Sequence, residues 1–360
     1  MRTLFSGTAK LHLIVIALAA TTAAAALLAA FVGLVQPAAV QAAGGEVNIY
    51  SYRQEVLLRP LLDAFTEETG ITVNLVSGKA DALLERLKAE GQNSPADMLL
   101  TVDAGRLYRA VEAGLLQPVQ SDLLDANVPA QYRHPDGLWY GLSVRARPIF
   151  YAKDRVKPGE LSTYAALADE KWKGRICIRS SNNIYNQSLL ASMIAHDGAD
   201  VTTAWTKAFV ANFARKPQGG DRDQLRAVAA GQCDLAIANT YYLGQLTQAK
   251  SADDRTAASK VGVFWPNQEG RGVHVNISGA AVTKSAKNKA NAIRLIEFLV
   301  EDRAQRLYAE GVNEYPVKPG VPWSDIVAAW GRFKADDLNL SLLGENNAEA
   351  VMIADRAGWR

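Results

Sequence analysis

Residues 46–102 read EVNIYSYRQEVLLRPLLDAFTEETGITVNLVSGKADALLERLKAEGQNSPADMLLTV, and the alternation of apolar periods in this stretch decides the fold class. EVNIYS (46–51) has the composition of a short strand. Over residues 54–69, Leu57, Leu58, Leu61, Leu62 and Phe65 recur at helical spacing until Gly70 closes the pattern. A second strand follows at 71–76, and residues 81–90 carry Leu83, Leu84 and Leu87 on one helical face. A third strand at 97–102 leads into a helix bearing Leu107, Val111 and Leu115. Strand and helix alternating through short loops predict an α/β protein with a parallel, doubly wound sheet. Ligands of such sheets bind beyond the carboxyl ends of the strands. Tyr52, Arg53 and Gln54, directly after the first strand, fall at that rim.

Outward from this unit, a second one runs from about 144 to 270. It holds strands near 175–179 and 233–238 and helices near 185–196 and 223–230. Residues 272–282 look extended, and 288–310 reads as one long amphipathic helix. Residues 1–42 read as an export signal, with Arg2 and Lys10, an Ala/Leu-rich stretch and Val40-Gln41-Ala42 as a small-x-small cleavage site. The apolar part, 13–35, is also long enough to span a bilayer, so an uncleaved anchor is the alternative. There is no Arg-Arg pair, and the first cysteine is Cys177, so lipid attachment near the leader is excluded. A soluble protein of a bacterial periplasm is expected. The 318 residues beyond the leader exceed the usual single core, so two domains are expected.

Removing Arg2 and Lys10 lowers Lys+Arg from 39 to 37 against 37 Asp+Glu, so the exported chain is close to neutral. It has no basic run, which argues against nucleic acid. Cys177 and Cys233 would meet an oxidising compartment. A disulfide between them is expected, worth roughly 4 kcal/mol on the chain-entropy account, with two buried thiols as the alternative.

Catalytic constellations are thin. His134, His196 and His274 show no metal-like spacing, and no GxSxG elbow, Walker loop or GxGxxG is present. Asp221 with Gln224 reads as a capping box starting a helix. The tyrosines carry more. Tyr241-Tyr242 follows the apolar strand ending at Ala238, and Tyr185 opens the helix after the strand containing Cys177. Tyr185 is eight residues beyond Cys177, and Tyr241 eight beyond Cys233. If the two strands are neighbours in register, a bridged pair would set these tyrosines side by side. Taken singly, each is ordinary aromatic packing. Together they would form a hard oxygen site. Ionising each phenol at pH 7 costs roughly 4 kcal/mol. A trivalent ion offsets three such costs where a divalent one seldom does, so three converging tyrosines point to ferric iron.

Several segments carry a family resemblance: VNIYSYRQEVLLRPLLDAF (47–65), SPADMLLTVD (94–103), RSSNNIYNQSLLASMI (179–194), ARKPQGGDRDQ (214–224), ANTYYLG (238–244), NISGAAV (276–282) and EYPVKPGV (314–321). Over nearly the whole exported length the chain resembles the periplasmic ferric-ion-binding proteins of bacterial ABC iron importers, the FbpA family. The resemblance implies Tyr185, Tyr241 and Tyr242 as ferric ligands and an inner-membrane ABC permease as partner. It implies a monomer that catalyses nothing. Some members place a histidine at the Gln54 position and a glutamate at the Val102 position. Both are missing here, so the chain is more similar to members that use tyrosines with a synergistic anion such as carbonate. Arg53 and Arg145 are then candidate anion partners, with structural salt bridges as their alternative. Ser181 and Asn183, ahead of the Tyr185 helix, could help present backbone N–H groups to the anion. Tyr52 is expected as a fourth ligand or a lid.

The implied architecture is a two-lobed type II periplasmic binding protein fold with a hinge and an interlobe cleft. The chain would cross near 142–146 and 270–276. Lobe one would take 44–143 and 271–319, lobe two 144–270 and 320–360. The competing functions are a binder of the same fold taking an organic or phosphorylated solute and, weakest, an exported enzyme using tyrosine as acid or base.

Overall fold

The computed structural model describes residues 44–53 and 55–360. The expected export signal and Gln54 lie outside the described residues. Among the described residues no helix is long and apolar enough to cross a membrane.

The opening units form as their periods predict. β1 (Gly45–Ser51) leads through the helix Glu55–Thr69 to β2 (Ile71–Ser77), and on through Ala80–Glu90 to β3 (Met98–Val102). β1 pairs in parallel with both β2 and β3. The sheet does not continue that way. β4 (Tyr140–Ala146), β9 (Val275–Val282) and β10 (Tyr315–Pro316) complete it in the order β10-β4-β9-β3-β1-β2. β9 runs antiparallel to both β3 and β4, because the chain re-enters the sheet from its far end. The sheet is therefore mixed where a parallel one was expected. Every residue of β4 and β9 is buried, since helices cover both faces and no polar alternation is needed.

A second sheet has the order β6-β7-β5-β8, from β5 (Ile149–Ala152), β6 (Ile176–Cys177), β7 (Leu235–Ile237) and β8 (Val261–Phe264). The chain passes from the first sheet to the second at Arg147-Pro148, and returns between β8 and β9. These crossings bond to each other, Arg147 N donating to the His274 carbonyl at 3.0 Å. The result is a two-lobed α/β fold with a cleft between the sheets.

The long helix expected over 288–310 is two helices, Lys289–Leu299 and Asp302–Val312. The break has a side-chain cause. Fully buried Gln305 donates to the carbonyls of Leu299 and Leu142, each at 2.7 Å, and accepts from Val317 N at 2.8 Å. It takes a carbonyl left over at the first helix's end and pins the second helix to β4. Periodicity registers the apolar face and cannot register this.

Cys177 and Cys233 are joined in a disulfide with Cα atoms 5.8 Å apart. Both are buried, Cys177 as the last residue of β6 and Cys233 two residues before its parallel neighbour β7. Removing the bridge as C177A/C233A is expected to lower the unfolding free energy by about 4 kcal/mol. Urea melts of the two proteins check this, and superimposable curves would refute it.

Candidate metal centre

β6 and β7 are parallel neighbours, and from their carboxyl ends run the helices Ile184–Asp197 and Thr240–Thr247. Tyr185 is the second residue of its helix, and Tyr241 and Tyr242 are the second and third of theirs. The helix dipoles thus point their positive ends at the phenols, which favours phenolate. The strand register sets Cys177 opposite Ala236, not Cys233. The equal spacing from the cysteines is therefore not what aligns the tyrosines. Counted from the paired residues Cys177 and Ala236, the path to the helix start is three residues longer after β6, and the side chain of Asn183 accepts from Tyr185 N at 3.0 Å to start the helix.

The three phenols converge. The Tyr241 hydroxyl donates to the Tyr185 oxygen at 3.2 Å, and the Tyr241 and Tyr242 rings lie 4.2 Å apart. They line a cavity of about 480 Å³ together with Arg222 and Gln245, and with Tyr52, Arg53, Leu57 and Val102 from the side of β1 and β3. Burial, and then repulsion from the neighbouring phenols, pushes Tyr241 and Tyr242 above the ordinary tyrosine value. Tyr241 and Tyr242 therefore keep their protons at physiological pH unless a cation draws them off. Val102 packs with Ile184 and Tyr185 as an apolar wall, and Tyr52 stands against it under the guanidinium of Arg106, 4.8 Å from its ring. Among the described residues no group of three or more His, Cys, Asp or Glu could hold a metal.

Two buried clusters of positive excess flank the phenols. In the first, Glu314 is shared by Arg145 at 3.1 Å and Arg53 at 2.9 Å. Arg53 reaches the cavity wall. Arg145 lies behind it, donating to the Ile277 carbonyl and Ser278 hydroxyl, with its guanidinium carbon 5.9 Å from the Tyr241 ring. In the second, Asp221 is shared by Arg147 at 2.9 Å and Arg179 at 3.1 Å. Ser181 and Asn183 are not cavity-lining. The Ser181 hydroxyl donates to the Trp359 carbonyl, and the Asn183 side chain is the helix cap already described.

The expected capping box of Asp221 and Gln224 is not what forms. The Asp223 carboxylate accepts from Gly220 N at 2.8 Å, and Asp221 turns inward to its arginines. Two charged donors outcompete a cap. Arg147, Asp221, Arg222, Gln245 and Glu314 were not singled out as site residues by sequence. Only Arg147 left a signal: in VRAR, positions 145 and 147 share one face of an extended segment.

Residues 61–335 match the family described as bacterial extracellular solute-binding protein. The chain belongs to that family. Iron uptake protein A1 of Synechocystis sp. is 55% identical over 315 residues, 88% of this chain and 88% of that one. The solved structure of Trichodesmium FutA (IdiA) in complex with iron and citrate ligands matches at 52% identity with a TM-score of 0.86, covering 88% of this chain and 100% of that one. A ferric binding protein from Campylobacter jejuni matches at 41% identity and TM-score 0.83, covering 87% and 100%. These relatives bear out the family resemblance read from the sequence and the two-lobed fold it implied.

Proposed function

We propose that this solute-binding protein is an exported ferric-ion receptor, with Fe³⁺ taken by Tyr185, Tyr241 and Tyr242 as phenolates. The observation that carries this reading is the convergence of three phenols in one cavity with no softer donor among the described residues. Phenolate is a hard ligand, and three of them neutralise a 3+ ion. Ferrous iron offsets less of the ionisation cost and is bound far more weakly. The names of the relatives, an iron uptake protein and ferric binding proteins, support the same cargo.

An anion completes the coordination. The two arginine pairs each exceed their carboxylate by one charge. Arg53 Nε has no hydrogen-bond partner among the described residues, and Arg222 adds a further cation at the cavity. Carbonate fits this need, and so does citrate, the ligand accompanying iron in the Trichodesmium protein. Arg53 touches the anion, while Arg145 acts through Glu314 and Tyr241. Tyr52, across the cleft, closes on the metal as fourth ligand or lid. Lobe one comprises 44–146 and 275–319, and lobe two 149–264 and 320–360; the crossings fall at Arg147-Pro148 and between β8 and β9 rather than near 142–146 and 270–276, because β4 stays in the first sheet to Ala146. The loaded monomer works in the periplasm and delivers iron to an inner-membrane ABC permease. It carries its cargo and catalyses nothing.

The test is a visible spectrum of the purified protein titrated with ferric nitrilotriacetate, with bicarbonate, citrate or neither. An orange-to-violet phenolate-to-iron band saturating at one iron per chain is expected, and it should strengthen with the preferred anion. A colourless protein would overturn the ferric reading and favour a phosphorylated or other anionic solute on the same arginines.

A further inference from the structure

The buried guanidinium of Arg147 bonds to four different residues, and each of these partners lies at the start of a helix or the end of β7. Nη1 donates to Asp221 Oδ2 and Asn239 Oδ1, both at 2.9 Å. Nη2 donates to Asn186 Oδ1 at 2.6 Å and to the carbonyl of Ile237 at 3.4 Å. Asn186 follows Tyr185 in its helix, Asn239 immediately precedes the Tyr241 helix, and Asp221 opens the helix that carries Arg222. One planar fork therefore joins the three helix starts that carry every lobe-two side chain named at the cavity except Gln245, one turn further along.

Asn239 shows that this arrangement displaces an ordinary local structure. It occupies the N-cap position of its helix yet makes no capping bond, because its oxygen faces Arg147. Asn183, in the same position ahead of Tyr185, caps normally. Arg147 also lies in the crossing between lobes. Its N–H donates to the His274 carbonyl of the returning strand, and its carbonyl accepts from the Tyr164 hydroxyl at 2.8 Å. Backbone and side chain together fix the crossing and the floor of the tyrosine site to one residue.

We propose that Arg147 is a positioning residue for the metal centre. Its fork holds the helix starts at the separation where the three phenol oxygens meet, and keeps that half-site rigid when the lobes part. This inference rests on the tyrosinate reading above. Lysine retains the charge but not the fork, because a single ammonium cannot reach acceptors on three elements in one plane.

The experiment compares wild type, Arg147→Lys, Asn239→Ala and Leu189→Ala, titrated with ferric nitrilotriacetate and followed by visible spectrum, competition affinity and thermal melt. Leu189→Ala is a core truncation in the Tyr185 helix that does not touch the fork, and it calibrates general loosening. Arg147→Lys is expected to weaken ferric affinity about tenfold to a hundredfold, the usual cost of losing a group that orients metal ligands, and to move the charge-transfer maximum. Asn239→Ala is expected to show part of both effects, and it decides the matter if Arg147→Lys does not fold. Leu189→Ala should lower the melting temperature with the band in place. Wild-type affinity and band in Arg147→Lys or, failing that, in Asn239→Ala would overturn the role of Arg147 alone. So would an equal band shift in Leu189→Ala. A wild-type protein without the band would overturn the tyrosinate reading and this inference with it.

Discussion

Tyr241→Phe is expected to lose most of the ferric charge-transfer band and to lower ferric affinity by about a hundredfold to a thousandfold, one ligand's share of the ten or more kcal/mol that a multi-ligand site supplies. Tyr241 is the choice because it is the hub of the phenols, donating to Tyr185 and packed on Tyr242. The substitution should be mild for the fold, since only one oxygen is removed. Its clearest signature is the pH dependence. Burial and the neighbouring phenols push Tyr241 and Tyr242 upward, so both hold their protons at neutral pH until a metal displaces them. Each phenol that binds Fe³⁺ must release one. Apparent affinity then rises with pH and falls on acidification, about tenfold per proton per pH unit, so about a hundredfold between pH 7 and pH 6 for the protons of Tyr241 and Tyr242 alone. Tyr241→Phe should follow a slope one proton shallower. Competition against a chelator of known protonation, repeated across pH, measures both slopes. A wild-type slope near zero would mean that the tyrosines are not the ligands.

What was legible in the sequence divides by the range of the interaction. The first two strand–helix units follow from periodicity in one stretch of chain, and β1, β2 and the helix Glu55–Thr69 form within a residue or two of the expected limits. The direction of β9 depends on where the chain returns after the second lobe, and no local pattern encodes that. The break at Val300-Glu301 depends on Gln305 meeting carbonyls from two elements. The tyrosines were visible because Tyr185 and the Tyr241-Tyr242 pair each follow a strand, although register and loop length align them rather than their equal distance from the cysteines. The charged layer beneath was largely invisible. Glu314 is about 170 residues from Arg145 and Asp221 is 74 from Arg147, and an isolated acid in a sequence says nothing about which arginine it meets. A buried ion pair is a property of the assembled fold, and here it fills the space that a sequence reading could only call the rim.

Glu314→Gln tests that layer. Glu314 is fully buried between Arg145 and Arg53, and it also accepts from the Ser143 hydroxyl. Burial alone would raise its carboxyl above the ordinary range, but Arg145 and then Arg53 hold it below. Glutamine keeps the shape and removes the charge that both guanidiniums face. Breaking a buried pair from one side typically costs about 3–5 kcal/mol, because the remaining charge is left uncompensated. With two arginines on one carboxylate, the upper part of that range is expected in urea melts at pH 7. The pH profile adds a sign. A carboxyl whose folded value is depressed contributes stability that is present above its unfolded value, near 4.5, and lost as pH falls through the folded value. The gap between wild type and Glu314→Gln should therefore be full at pH 7 and narrow below about pH 4. Multivalent anions should also stabilise Glu314→Gln more than wild type, by occupying the place of the missing charge beside Arg53 at the cavity wall. A variant within about 1 kcal/mol of wild type at pH 7 would place it outside the range expected for a broken buried pair, and would mean that water or an anion already compensates the two arginines.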